Sequence, residues 1–264
     1  MKKKVILISF IIVAVAFSGC MEPDDEMEIN ENEVSIACWN LKVFGPKKGS
    51  DVQLVNYYID KLHEYDIFII QEIKDNTGTA IQKIIEKSED YNYKISERAG
   101  FTSSKEQYGI FYLKNKVLLE GAQDYALELQ DKMERPPMKM SFQVKDWHFD
   151  VWTMHTDPDT VPQDLYHFED AVGYISKDTI IIGDLNADGA YYDEDDIQHF
   201  VDNWNWVLPN SADTTVASSS NTYDRIIIND DCMDNFVSYG IMKDVDPDQS
   251  DHYLIYGVFN TTVE

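Results

Sequence analysis

Seven polar residues in five short segments hold the chemistry this chain could do: Asn40 after Trp39, Glu72 after Gln71, His155 after Met154, Asp184 and Asn186 in Gly183-Asp184-Leu185-Asn186, and Asp251 and His252 in Ser250-Asp251-His252. Such a set suits hydrolysis of a phosphodiester. That reaction needs a water aimed in line at phosphorus, charge stabilisation on the non-bridging oxygens, and a proton or cation for the leaving oxygen. Glu72 and Asp184 supply carboxylates, while Asn40 and Asn186 supply amides that can hold a metal, its water or a phosphate oxygen without adding charge. Asp251 would complete a second metal position. Hard oxygen ligands of this kind suit magnesium, with manganese as a substitute. His155 and His252 can share proton transfer, and each needs a carboxylate to orient its ring. Glu106, within Lys105-Glu106-Gln107-Tyr108, is the candidate partner of His155, and Asp224, within Tyr223-Asp224-Arg225, that of His252. Which ring is acid and which is base stays open, as does the number of cations. Taken singly, each residue has an ordinary reading as a turn residue, a cap or a surface histidine. Their joint occurrence raises the catalytic one.

The elements that must position them are short and apolar. The runs 34–39, 67–70, 149–154 and 179–183 each end at one of the polar groups, so several strand ends would point at one place. Further strand-like runs are 91–96, 109–113, 139–144, 225–228 and 253–259. Helical spacing is seen over 51–64 (Val52, Val55, Ile59, Leu62), 79–87 (Ile81, Ile84, Ile85) and 163–175, with a fourth helix over 195–203. Runs such as Ile67-Phe68-Ile69-Ile70 and Ile180-Ile181-Ile182 are apolar without alternation, which suits strands covered on both faces. The fold class expected is therefore α/β (α+β): a four-layer α/β/β/α sandwich of two mainly antiparallel sheets packed face to face, with outer helices.

The chain has 264 residues, enough for one sizeable core. Lys2-Lys3-Lys4, an apolar stretch to Phe17 and the small residues Ser18-Gly19 before Cys20 read as an export signal, too short to favour a permanent membrane span. Phe17-Ser18-Gly19-Cys20 resembles a prokaryotic lipoprotein processing site with Cys20 lipidated, although Phe17 departs from the usual aliphatic residue. Residues 1–20 are thus expected to be a signal peptide, 21–33 an acidic tether and 34–264 the catalytic domain, of a protein exported and either lipid-anchored at the cell surface or secreted. Only Cys38 and Cys232 remain beyond the signal, so no disulfide framework is indicated. The formal charge is −26, and about −29 without the signal lysines. An acidic surface opposes polyanions, and arginines are restricted to Arg98, Arg135 and Arg225. A DNA substrate would need divalent cations to offset that repulsion locally.

From 34 to 258 the chain resembles the deoxyribonuclease I family of the endonuclease/exonuclease/phosphatase superfamily. The likeness rests on Trp39-Asn40-Leu41-Lys42-Val43-Phe44-Gly45, Ile70-Gln71-Glu72, Lys105-Glu106-Gln107-Tyr108, Gly183-Asp184-Leu185-Asn186-Ala187-Asp188, and Asp213-Thr214-Thr215 through Tyr223-Asp224-Arg225-Ile226. It implies a monomeric enzyme that nicks duplex DNA with little sequence preference and leaves a 5′-phosphate. His155 with Glu106 and His252 with Asp224 would be its catalytic pairs. Asn40, Glu72, Asp184, Asn186 and Asp251 would surround the metal and the scissile phosphate. Lys42 and Lys74 stand where the family presents arginines to the minor groove, Arg135 matches a DNA-contacting arginine, and Ser104 replaces a tyrosine that packs on a sugar. A family disulfide is absent, with Gly189 and Asn221 at its positions. One structural calcium site is implied at Asp213 and Thr215, with Ser219, although Ala217 removes a hydroxyl.

Other residues keep plain readings. His63, His148, His167 and His199 read as surface or boundary residues, Asp193-Glu194-Asp195-Asp196 as a solvated helix-opening run, and Trp204 and Trp206 as core. The loop of Asp244, Asp246 and Asp248 lacks the glycine and terminal glutamate of a calcium loop. Asn260-Thr261-Thr262 fits a glycosylation acceptor, a short and unspecific motif. Two other functions compete with DNA cleavage: hydrolysis of another phosphodiester (RNA, a nucleotide or a phospholipid headgroup), and a surface binding module without turnover. The unsubstituted catalytic positions weigh against the last.

Overall fold

Alternation within an apolar strand decides the layering of this fold. The first strand, β1 (Glu33–Phe44), is buried along nearly its whole length, yet its side chains sort into two cores. Val34, Ile36 and Cys38 join one cluster, and Ala37, Trp39 and Leu41 join another. A strand covered on both faces must lie in the middle of a layered structure.

In the computed structural model, residues 30–262 are described, apart from 174 and 176. After β1 come α1 (Pro46–Ser50), α2 (Val52–Leu62), β2 (Ile67–Ile73), α3 (Thr79–Lys87), β3 (Tyr91–Ile95) and β4 (Gln107–Leu113). The second half holds β5 (Leu118–Asp124), β6 (Met138–Val144), β7 (Trp147–Thr153), α4 (Val161–Val172), β8 (Asp178–Asp184), β9 (Trp204–Trp206), β10 (Asp224–Asn229), β11 (Phe236–Met242) and β12 (Leu254–Asn260). One six-stranded sheet has the order β11-β12-β1-β2-β4-β3, and the other β5-β6-β7-β8-β10-β9. Each has a single parallel pair at its centre, β1 with β2 and β7 with β8; the other pairs are antiparallel.

The sheets pack face to face through Ile36, Cys38, Ile69 and Ile110 on one side and Phe142, Val151, Ile180 and Ile226 on the other. Val55, Ile59, Ala80, Ile81 and Ile84 of α2 and α3 cover the outer face of the first sheet, and Val161, Leu165 and Phe168 of α4 that of the second. The result is the expected four-layer sandwich. Asp51 starts α2 by accepting the Gln53 and Leu54 amides. Gly173, at φ 59°, ends α4.

Several expectations are corrected. No helix forms over 195–203: Asp193 turns the chain by accepting the Asp195 amide, Phe200 and Asn203 sit at φ 52° and 64°, and Glu169 holds the Phe200 amide at 2.8 Å. The α4 helix begins at Val161 rather than 163 because Pro162 suits its first turn. Edge strands β5, β9 and β11 escaped the sequence reading, since half-exposed edges have no continuous apolar run. Trp204 and Trp206 are half-buried and pack against the α4 core from its margin. The signal segment, Cys20 and most of the tether lie outside the described residues. Among those described, no helix is long and apolar enough to cross a membrane.

Candidate active site

The two parallel pairs give the fold a direction. β1, β2 and β8 end at one edge of the sandwich, and β7 ends there just before Met154-His155, while β4, β10 and β12 start at that edge because they run antiparallel to their neighbours. Asn40 and Gln71 are register partners across β1 and β2, and Asp184 and Asp224 across β8 and β10. Strand polarity alone thus gathers groups separated by more than 200 residues.

Each histidine has a carboxylate behind it. His155 Nδ1 lies 2.7 Å from Glu106 Oε1, and His252 Nδ1 lies 2.8 Å from Asp224 Oδ2. The other ring nitrogens converge: both Nε2 atoms face Asp184 Oδ2, at 3.3 Å from His155 and 3.4 Å from His252. Asn40 Nδ2 donates to the same oxygen at 2.9 Å. Burial lowers the affinity of both rings for a proton, but the carboxylates outweigh it: Glu106 and Asp184 raise His155, and Asp224 and Asp184 push His252 up to about 10. Burial in turn raises the Asp224 carboxyl, against the pull of the His252 imidazolium. Two buried oxygens, Glu106 Oε2 and Asp224 Oδ1, have no hydrogen-bond partner among the described residues.

Glu72 occupies a bulge between Ile70 and Ile73 and takes φ 61°, while Lys42 and Val43 opposite take 42° and 59°. For a β-branched valine that is strained backbone, and it aims the Val43 amide at Glu72 Oε2 at 2.8 Å. Lys74 Nζ sits 2.9 Å from the same oxygen. Burial would raise the Glu72 carboxyl, yet His155, Lys74 and the Val43 amide bring it down to about 2. Glu72 is thus a partly buried carboxylate kept anionic beside the Asn40 amide, whose Nδ2 lies 3.3 Å away and whose Oδ1 accepts the Lys42 amide; an anionic oxygen of this kind suits a hard divalent cation. Asp184, Asp224 and His252 also offer atoms mutually within 4.8 Å. With Asp224 on Nδ1 and a high proton affinity, His252 is better read as part of a proton-handling pair than as a metal ligand.

Asn186, at φ 47°, donates through its amide to Thr156 O at 3.2 Å, and its own N–H bonds Asp184 Oδ1 at 3.1 Å. Lys42 is exposed and pairs with Asp251 at 2.9 Å, and Lys74 also approaches Glu106 at 3.5 Å. Arg135 points inward: Nε donates to His155 O at 2.9 Å and Nη2 to Thr156 O at 2.5 Å, so two of its donors clamp the His155 turn. Ser104 is exposed. The Asp213 carboxylate accepts the Thr215 amide and hydroxyl at 3.1 Å each, and that hydroxyl meets Ser219 O at 2.8 Å, so these groups satisfy one another within the loop. Gly189 and Asn221 do face each other, since a β-carbon on Gly189 would stand 2.8 Å from Asn221 Oδ1. Cys38 and Cys232 are free and buried.

One residue that the sequence reading passed over is Gln71. Fully buried, it reaches from the first sheet to the second: Nε2 donates to Thr153 Oγ1 at 3.1 Å and Met154 O at 2.8 Å, and Oε1 accepts the Asp184 amide at 3.0 Å. A β-carbon on Gly183 would lie 2.7 Å from Gln71 Nε2 and closer still to Met154 O, which is why glycine precedes Asp184. The only sequence signal was its place beside Glu72, a polar residue ending an apolar strand.

The chain resembles known proteins in sequence and in fold. No protein-family model matches the chain. Deoxyribonuclease-1 of Bos taurus is 26% identical over 255 residues, covering 84% of this chain and 90% of the bovine one. Among solved structures, a humanized D. rerio TDP2 aligns with a TM-score of 0.68 at 15% identity, over 87% of this chain and all of the other. An endonuclease/exonuclease/phosphatase family protein from Bacteroides thetaiotaomicron aligns with 0.64 at 16% identity, over 88% and 99%. The structural likenesses bear on fold, and the sequence likeness on family: the resemblance to deoxyribonuclease I holds over most of the chain.

Proposed function

We propose that this protein, similar in sequence to deoxyribonuclease I, is an exported, divalent-metal-dependent endodeoxyribonuclease that cuts DNA with little sequence preference and leaves 5′-phosphate ends. The observation that carries the reading is the convergence of two carboxylate-backed histidines on Asp184 Oδ2. In the reaction, a water oxygen bonds to phosphorus as the bond to the 3′-oxygen breaks. One imidazole takes the proton from the water, and the other gives a proton to the departing 3′-oxygen. Glu106 and Asp224 hold the two rings with Nε2 directed into the cleft, and Asn40 and Asn186 bind phosphate oxygens without adding charge. Glu72, Asn40 and Asp251, with Asp184 behind them, would hold Mg2+, or Mn2+ in its place; bound there, the cation would neutralise charge developing on the phosphate. Lys42, Lys74 and Arg135 supply local positive charge in a chain of net charge −26. Cys20 is the residue we assign to a lipid anchor, residues 21–33 to the tether, and the Asp213–Thr215 loop to a structural calcium ion.

The test is nicking of supercoiled plasmid by the purified protein with Mg2+, Mn2+ or Ca2+ and with chelator, across ionic strength. Cleavage that needs Mg2+ or Mn2+ is expected; absence of metal-dependent nicking would sink the reading. The acidic surface favours a second one, a phosphodiesterase for RNA, nucleotides or phospholipid headgroups. It replaces the first if turnover of any of these exceeds that of DNA under matched magnesium. Tight DNA binding without cleavage at any metal would point instead to a binding module.

A further inference from the structure

Lys48 belongs to none of the groups described above, yet its ammonium donates to two main-chain carbonyls, Leu41 O and Gln249 O, at 2.7 Å each. Leu41 follows Asn40 in β1, and Gln249 precedes Ser250-Asp251-His252. One half-buried side chain therefore joins the strand end that carries Asn40 to the loop that carries Asp251 and His252. Its partners are carbonyls rather than a carboxylate, so the cost of burying the charge is not recovered in an ion pair, and burial lowers its proton affinity to about 8. The loop has other tethers: Ser250 Oγ to Asn40 O at 2.5 Å, Trp39 Nε1 to His252 O at 2.8 Å, and Tyr58 OH to Gln249 O at 2.6 Å. Of the tethers among the described residues, only Lys48 reaches both segments from a third. That third segment, α1, is itself fixed, because Gly49 lies so close to Ala80 that a β-carbon there would be 2.6 Å from its methyl, and Lys83 Nζ bonds Gly49 O at 2.6 Å.

We propose that Lys48 is a positioning residue of this site, holding the Asp251-His252 loop in register with the Asn40 end of β1. It thereby sets the spacing between the cation-side groups and the His252 ring. Its effect on turnover rests on the phosphodiesterase reading; the tether itself does not.

Lys48→Met tests both parts, with Lys114→Met as the control, because Lys114 makes a similar lysine-to-carbonyl bond, to Glu89 O at 2.6 Å, that involves neither α1 nor the loop. In the metal-free protein, amide hydrogen exchange is followed at Val216, bonded to Asp251 O at 2.8 Å, and at His252, bonded to Ser250 Oγ at 3.0 Å. Lys48→Met is expected to speed exchange at these amides about tenfold, and Lys114→Met to leave them unchanged. On plasmid, kcat of Lys48→Met should fall about ten- to a hundredfold while KM stays within about twofold, and Mn2+ affinity should weaken in parallel. Equal exchange in Lys48→Met and wild type overturns the proposal, whatever the substrate. A wild type that cuts no DNA overturns the functional reading and leaves exchange to decide the tether. Should Lys48→Met not fold, Lys48→Gln is read the same way.

Discussion

Replacing Gln71 with methionine keeps the length and bulk of a fully buried side chain while deleting its amide. Three hydrogen bonds are lost, to Thr153 Oγ1, to Met154 O and from the Asp184 amide. The threonine hydroxyl can rotate to another acceptor, so it is left out of the reckoning. The Met154 carbonyl and the Asp184 amide cannot move without distorting their strands, and each orphaned buried group costs about 1–3 kcal/mol, roughly 2–6 kcal/mol for the two. Against a typical total of about 5–15 kcal/mol, that is a large fraction. At about 2–4 °C per kcal/mol for a domain of this size, Tm should fall by roughly 4–24 °C. Activity should fall further than stability explains, because the Asp184 backbone loses its tie to the strand carrying Glu72. At a temperature where the variant is fully folded, kcat on plasmid should drop about a hundredfold. Scanning calorimetry and nicking at 20 °C measure the two effects. A Tm within about 2 °C of wild type together with kcat within about twofold would refute the reasoning.

His155→Ala and His252→Ala should each cut nicking by about 10²–10⁴ without unfolding the chain, which initial rates and circular dichroism will report. Asp164, buried in the first turns of α4, has its carboxyl pushed up to about 6 from 3.8, so the unfolded chain ionises first as pH rises and stability falls between those values by about 3 kcal/mol at most. Asp164→Asn should therefore match wild type in urea unfolding near pH 4 and exceed it at pH 7; a gap that does not grow with pH counts against this. The His252 ring, raised from 6.5 to about 10, contributes stability that is fully present below 6.5 and is lost as pH rises through about 10. Asp224→Asn removes the largest raising influence, so the His252 titration followed by NMR in the metal-free protein should move down toward 6.5. Lys42→Ala should weaken DNA binding across sequences and reduce the slope of log affinity against log salt by about 1, measured by titration at several ionic strengths.

The strands that bear the site were legible because Ile67-Phe68-Ile69-Ile70 and Ile180-Ile181-Ile182 are apolar on both faces, and two-sided burial leaves no other pattern. β5, with Glu120, Gly121 and Gln123 on an exposed edge, has no such signature, and the helical spacing over 195–203 is overridden by positive φ at Phe200 and Asn203. Residue types and order pointed to the candidate set: two histidines, the carboxylates that the fold places behind them, and the polar groups beside them. Tertiary structure alone decided that both Nε2 atoms meet at one Asp184 oxygen, that Arg135 turns inward onto the His155 and Thr156 carbonyls, and that Gln71 joins the sheets. The physical reason is one of range. Burial and backbone preference act on neighbours along the chain and leave a pattern there, whereas a hydrogen bond from β2 to β8 spans 113 positions and exists only once the two sheets have packed.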